Sequence, residues 1–339
     1  MNGVVSAPHA HAARPVGRVM ALVMLALAPA TAAGFWRFGY PAIYLWCVTV
    51  LACVFAEAVC VRLADRPARP VLADGSAVLT GWLLALSLPP WAPWWIAAAG
   101  GAFAIVVVKQ AFGGLGQNPF NPAMVAYCAM IVAFPSLMSQ WPPAGQLDFQ
   151  TQLDLVLGGA REIDAITGAT ALDAMRTGLR ASGASVDAVL LQPGAFGAFG
   201  GRGWEWLPLG YAAGGLYLFA RRIITWHMPV AFLAALALIS GVFWLANPAQ
   251  FAPPWFHLAS GGAMLAAFFI VTDPVSGATT PRGKLIFAAG IALIAYLIRV
   301  FGAFPEGIAF AVLLMNICVP LIDMKTQPPV FGHREGRLP

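Results

Sequence analysis

Residues 228–245 read MPVAFLAALALISGVFWL, eighteen positions without an Asp, Glu, Lys or Arg. Coiled into an α-helix, such a run is about 27 Å long, close to the hydrocarbon thickness of a bilayer. It is apolar all round, whereas a helix on the surface of a soluble domain carries a polar face. Arg221 and Arg222 stand just before it, and no further Lys or Arg follows until Arg282. This pattern reads as a membrane span with its charges held at the ends.

Working outward, comparable runs occupy residues 19–34, 41–61, 76–88, 93–112, 122–137, 204–219, 255–271, 284–301 and 307–322. The fold class is therefore expected to be all-α, a polytopic membrane protein of about ten transmembrane helices. The runs at 76–88 and 122–137 are short for a span, so tilted or discontinuous helices are expected there. Composition agrees. Of 339 residues, 60% are hydrophobic and 10% charged, against about 25% charged in ordinary soluble domains. The net charge of +5 comes from basic residues beside helix ends, with no basic stripe and no nucleic-acid motif, so no nucleic-acid partner is expected. Cys47, Cys53, Cys60, Cys128 and Cys318 all lie in apolar runs. They form no CxxC pair and have no His at zinc spacing, so they read as small buried residues and no metal site is expected.

Lys and Arg set the sidedness. With the N-terminus in the cytoplasm, thirteen of the nineteen fall in inner segments, five in outer ones, and Arg299 within a span. The expected organisation is a cytoplasmic tail (1–18), a first five-helix half (19–137), a periplasmic loop (138–203), a second half (204–322) and a cytoplasmic tail (323–339). Arg14, Arg18 and the apolar run after them have signal-peptide character, but in so polytopic a chain a retained first helix is expected. Ser76-Ala-Val-Leu, Ile96-Ala-Ala-Ala-Gly100 and Lys109 resemble Gly262-Ala-Met-Leu, Ile286-Phe-Ala-Ala-Gly290 and Arg299. The copies lie five spans apart, and an odd offset would make them an inverted repeat.

The outer loop contains Asp164-Ala-Ile-Thr167-Gly168-Ala169-Thr170. This fits Asp-x-x-(Ser/Thr)-Gly-Ala-Thr, which resembles the sequence at which a flavin transferase joins FMN to the last threonine through a phosphoester. Gly168 and Ala169 leave the backbone open to such an enzyme. Residues 171–181 then read as a short amphipathic helix with Leu172, Met175 and Leu179 on one side, its N-terminus favourable for a phosphate. The plainer reading makes Thr170 an ordinary N-cap. Asp273-Pro-Val-Ser-Gly-Ala-Thr279 fits the same pattern. Thr279 lies on the inner side, beside Arg282 and Lys284 and between Pro274 and Pro281, whereas transferases of this type act outside the cytoplasm. Topology therefore selects Thr170.

Lys109-Gln-Ala-Phe-Gly-Gly-Leu-Gly-Gln-Asn118-Pro-Phe-Asn121-Pro, Asp74-Gly-Ser-Ala, Thr272-Asp-Pro-Val and Thr280-Pro-Arg-Gly-Lys resemble landmarks of the D subunits of Rnf-type ion-translocating electron-transport complexes. A related family is the B subunit of sodium-translocating NADH:quinone reductase. The resemblance implies a flavoprotein subunit of an ion-translocating ferredoxin:NAD oxidoreductase in the bacterial inner membrane. Its partners would be the other subunits, the bilayer and a maturing flavin transferase, with no complete active site on this chain. It also implies a second, non-covalent riboflavin near the cytoplasmic side, where Asn118, Asn121 and Asp273 offer amide and carboxylate groups. The alternative makes the Asn-Pro pairs helix-start turns and Asp273 an N-cap. Residues 197–206 depart from the family's usual stretch. Glu57, a carboxylate inside a span, is either part of an ion pathway or a buried partner of Arg62. His257 reads as an interfacial or hydrogen-bonded core residue rather than a ligand. A solute or ion transporter of inverted repeats without redox activity would explain the helices but not the attachment sequence, and an assembly scaffold would leave Thr170 unmodified.

Overall fold

The computed structural model of the chain describes residues 15–142, 149–157, 167–181, 183–191, 196–197 and 200–328. Its first half contains α1 (Val16–Phe38), α2 (Tyr40–Leu63), α3 (Ala68–Leu72), α4 (Ser76–Ser87), α5 (Trp94–Phe103), α6 (Pro122–Ala133) and α7 (Pro135–Met138). The loop region adds α8 (Phe149–Leu157), α9 (Ala171–Ala181) and α10 (Val186–Leu190). The second half holds α11 (Trp206–Ala220), α12 (His227–Ala246), α13 (Pro254–Ala259), α14 (Ala263–Leu265), α15 (Pro281–Phe301) and α16 (Ile308–Thr326). There are π-helical segments at Ala104–Gln110, continuing α5, and at Ala266–Ile270, continuing α14. Among the described residues there is no β-strand, only the isolated bridges Trp141–Gly168 and Phe196–Gly201.

Each of the ten apolar runs coincides with a helix or a series of short ones. Five of them, α1, α2, α12, α15 and α16, are long and apolar enough to cross a membrane by length and composition. The others are shorter, and their interruptions have local causes. Residues 122–137 break at Phe134, ahead of Pro135, because a residue before proline is pushed out of the helical region. The run at 255–271, read as one span, is broken at Ser260–Gly262, where Gly261 has φ +66°.

The helices meet through small residues. Gly210 of α11 lies against Ala30 of α1, and Gly214 against Ala26, where an added Cβ would stand 1.9 Å from the Ala26 carbonyl oxygen. One sequence rises as the other falls, so the two helices run antiparallel. Spacing small residues four apart on facing helices brings backbones into contact, the usual source of association where lipid removes the hydrophobic driving force. Gly81 of α4 and Gly101 of α5 similarly converge on Thr49 to Cys53 of α2. The main core, including Leu27, Ile96, Phe232, Ile291 and Tyr296, draws on both halves. A smaller cluster of Leu172, Met175, Val189 and Phe256 seats α9 and α10.

Two ion pairs, one fully buried and one with Glu306 partly exposed, mark opposite ends of this bundle. Lys109 bonds Glu57 of α2 and donates to Ser76 Oγ at the start of α4 (2.6 Å), while Gln110 donates to the same carboxylate (2.9 Å). Glu57 is therefore paired with Lys109 rather than with Arg62. Arg62 is only five residues along the same helix, whereas the end of the π-helical segment delivers Lys109 into the interior. At the other end Arg299 of α15 pairs with Glu306 (2.9 Å), whose carboxylate also accepts from Gly262 N–H (2.9 Å) just before α14. Lys109 and Arg299 hold equivalent places in the two similar stretches of sequence, and each helps to fix the helix start of its own stretch, Ser76 for one and Gly262 for the other.

Candidate functional site

Thr170 sits immediately before α9, and its Oγ1 accepts from Asp173 N–H at 3.2 Å. The expected helix has its expected bounds, with Ala171, Leu172 and Met175 buried. Before it, Gly168 N–H donates to Trp141 O at 3.0 Å. Thr167, Gly168 and Ala169 are thereby placed beside Thr170, half-buried or exposed. Asp164 lies outside the described residues.

Thr170 opens on a cavity of about 400 Å³, within the usual range for small-molecule sites, about 300–1,000 Å³. Its walls include Tyr127 of α6, Trp141, Trp204, Tyr211 of α11 and the Ser260–Gly262 break. Trp141 and Trp204 meet edge to face with ring centroids 5.5 Å apart, and Trp204 also packs on Phe38. The stretch at 197–206, which departs from the family pattern, therefore supplies the Gly201 and Trp204 part of the wall. Glu306, also in the wall, is fixed by Arg299 Nε (3.0 Å) and Gly307 N–H (3.0 Å). Ser260 Oγ is buried with no partner among the described residues. A cavity with aromatic walls, a helix N-terminus and an unpaired hydroxyl fits a flavin held through a phosphate at Thr170.

Asn118, Asn121 and Asp273 come together although Asp273 is 152 residues along the chain from Asn121. All three line a cavity of about 160 Å³ with Ser76, Lys109 and Phe268. Asn121 caps α6, accepting from Met124 N–H at 3.2 Å, while its amide reaches Asp273 at 3.5 Å. Asn118 donates to Phe120 O at 2.9 Å. The helix-start reading thus describes Asn121 correctly without removing it from the cavity. Asp273 is not the N-cap of α15; that is Thr280, which accepts from Gly283 N–H. Asp273 instead closes its own turn, accepting from Val275 N–H (3.1 Å) and Ser276 O–H (2.7 Å). Burial pushes its carboxyl above the usual carboxylate range, and these hydrogen bonds pull it back in part. The second motif ends at Thr279, whose N–H and hydroxyl both donate to Asp323 of α16.

The cavities lie at opposite ends of the same helices. α4 presents Ser76 to the smaller and Ser87 to the larger; α6 presents Ala123 to one and Met124 and Tyr127 to the other. His257 is buried as expected for a core residue, but neither ring nitrogen has a hydrogen-bond partner among the described residues. No group of three or more His, Cys, Asp or Glu able to hold a metal occurs among the described residues. Sequence reasoning missed Trp141, Trp204 and Glu306. Each lies far along the chain from Thr170, and only the Trp-rich flanks hinted at an aromatic wall.

The NQR2, RnfD, RnfE family matches this chain over residues 3–332. A protein of Yersinia enterocolitica, named as the D subunit of an ion-translocating oxidoreductase complex, is 46% identical, covering 98% of this chain and 99% of its own length. Proteins of the same name from Cronobacter sakazakii and Escherichia fergusonii are 44% and 43% identical, with the same coverage.

Proposed function

The chain belongs to the NQR2, RnfD, RnfE family, and from that premise we propose that it is the flavin-bearing D subunit of an ion-translocating oxidoreductase complex in the bacterial inner membrane. FMN is joined to Thr170 on the periplasmic side and passes electrons within the membrane part of a ferredoxin:NAD oxidoreductase. The observation that carries this reading is the position of Thr170. A threonine in the attachment sequence caps a helix and opens on an aromatic cavity of about 400 Å³. The α9 N-terminus favours the phosphate charge. Tyr127, Trp141 and Trp204 give the cavity an aromatic wall against which a planar ring can pack. The Arg299–Glu306 ion pair sets a fixed dipole in the cavity wall, which tunes the electron affinity of whatever occupies the cavity. The flavin supplies the redox chemistry.

A non-covalent riboflavin with its polar edge on Asn118, Asn121 and Asp273 forms the second part of the reading. The smaller cavity, below the usual ligand range, would have to widen around Phe268. The two cavities share walls on α4 and α6, which would place both flavins in one helix bundle. The paired clusters at Lys109 and Arg299 support ten spans arranged as two inverted five-helix halves. Glu57, tied to Lys109, then acts as a buried structural partner rather than a free ion ligand.

The test uses membranes from cells producing the chain with a flavin transferase, run on a denaturing gel and inspected for flavin fluorescence. A fluorescent band is expected in the wild type and in Thr279→Ala, and none in Thr170→Ala. A band that survives Thr170→Ala removes the assignment. No band in the wild type would leave the transporter and scaffold readings.

A further inference from the structure

Next to the Thr170 cavity, and sharing Leu172 and Arg176 of α9 with it, lies another cavity, of about 310 Å³, between α9, α13 and the C-terminal end of α15. Its polar wall consists of Arg176, Arg180, His257, Arg299 and Gln250, and among the described residues no Asp or Glu lines it. Arg299 is neutralised by Glu306. Arg176 and Arg180 are not neutralised in the same way: they donate to the carbonyls of Ala303 (2.6 Å) and Val300 (2.9 Å), which orients the guanidinium groups without cancelling their charge. Asp173 does not line this cavity, but it lines the Thr170 cavity together with Arg176 and partly offsets the charge of that arginine. Four residues apart on one helix, the two arginines repel each other. His257, 4% exposed, adds two ring nitrogens with no partner among the described residues. Buried polar groups normally find one, from the protein, from water or from a ligand.

The position of this cavity narrows the ligand. α12 and α15 are both membrane-length and apolar, and both end here, where Phe243, Phe251 and Phe301 pack together. Their outward surfaces expose Leu238, Val242, Leu245, Leu293 and Leu297. Trp244 and Trp255 are exposed at the same level, and tryptophans mark the boundary between hydrocarbon and water. A cationic cavity at that boundary, continuous with an apolar surface, matches a molecule with an anionic head and a hydrocarbon body. Guanidinium groups pair well with phosphate oxygens.

We propose that this cavity binds the phosphate headgroup of an anionic phospholipid, with Arg176 and Arg180 on the phosphate, His257 at its floor and the acyl chains along α12 and α15. The bound lipid relieves the repulsion on α9 and holds the helix that carries Thr170 against the bundle. Thr170 is not part of this site, and Arg180 and His257 line this cavity alone, whereas Arg176 borders both.

The full chain, extracted from membranes in mild detergent with its complex, is stripped of lipid. It is then given equal amounts of phosphatidylglycerol and phosphatidylcholine with the same acyl chains. Retained lipid is counted by native mass spectrometry. Phosphatidylglycerol is expected to be preferred in the wild type, and the preference to fall about fivefold in Arg180→Gln, the usual worth of one basic residue at an anionic surface. His257→Gln, which keeps a polar group, is expected to weaken retention without changing helical content by circular dichroism. Equal retention of the two lipids, or a preference unchanged in Arg180→Gln, overturns the proposal. Displacement of phosphatidylglycerol by inorganic phosphate alone also overturns it, by showing a free-anion site in place of a lipid site.

Discussion

Glu57 and Lys109 are 0% and 2% exposed, and between them they tie α2, the start of α4 and the end of the π-helical segment together. Two charges taken out of water are stable only as a pair, so removing one leaves the other uncompensated, at a cost of about 3–5 kcal/mol. Lys109→Met is therefore expected to lower the unfolding temperature in detergent strongly. The double variant Lys109→Met, Glu57→Gln should recover much of that loss. If the two losses simply add, the pair is not coupled. At Thr170 the expected change is chemical: Thr170→Ala loses the covalent flavin but keeps α9, because Leu172 and Met175 still seat that helix. If riboflavin also binds, the purified wild type carries two flavins per chain, and Thr170→Ala retains one that is released on denaturation. The sequence made Glu57 visible as a lone acid in an apolar run, yet could not name its partner. Arg62 was near in the chain, while Lys109 is brought near only by packing.

At the scale of elements, the break between α13 and α14 shapes the site. Gly261 has φ +66°, and a Cβ there would stand 2.2 Å from Glu306 Oε2 and 2.6 Å from Leu172. Gly261→Ala is expected to cost about 1–3 kcal/mol, from backbone strain and overpacking together. It should also reduce flavin loading at Thr170, read as fluorescence per chain. The contact of α1 with α11 is equally sensitive. Gly214→Leu cannot be accommodated while Gly214 touches Ala26, and it is expected to leave little folded protein in detergent, measured by monodisperse recovery on size-exclusion chromatography. Helices such as α9 and α12 were legible because periodicity and uniform apolarity are local properties. The break at Ser260–Gly262 was less so: Gly261-Gly262 was plain to read, but whether a glycine pair bends, packs or breaks a helix depends on what stands opposite.

For the whole molecule, sidedness and the two cavities belong together. α4 and α6 span from the Asp273 end to the Thr170 end, so Ser139 and Thr279, both exposed, should face opposite sides of the membrane. With the native cysteines replaced, Ser139→Cys is expected to react with a membrane-impermeant maleimide added to intact spheroplasts. Thr279→Cys should react only after lysis. The reverse pattern would put Thr279 on the outer side and reopen the choice between the two attachment sequences.

By itself the sequence determined the helical class, the places where apolar runs begin and end, and the two threonines, Thr170 and Thr279, that end the repeated Asp-x-x-(Ser/Thr)-Gly-Ala-Thr pattern. These follow from composition and short-range order, which lipid and the helical repeat read directly. Only the tertiary structure decided what those residues face: an aromatic cavity for Thr170, Asp323 for Thr279, Lys109 for Glu57, and a cationic cavity for His257. Such contacts depend on which helices touch. In this chain that rests on small residues such as Ala26, Gly101 and Gly214, whose role is to leave room, and an absence of side chain acquires meaning only when another helix arrives to fill it.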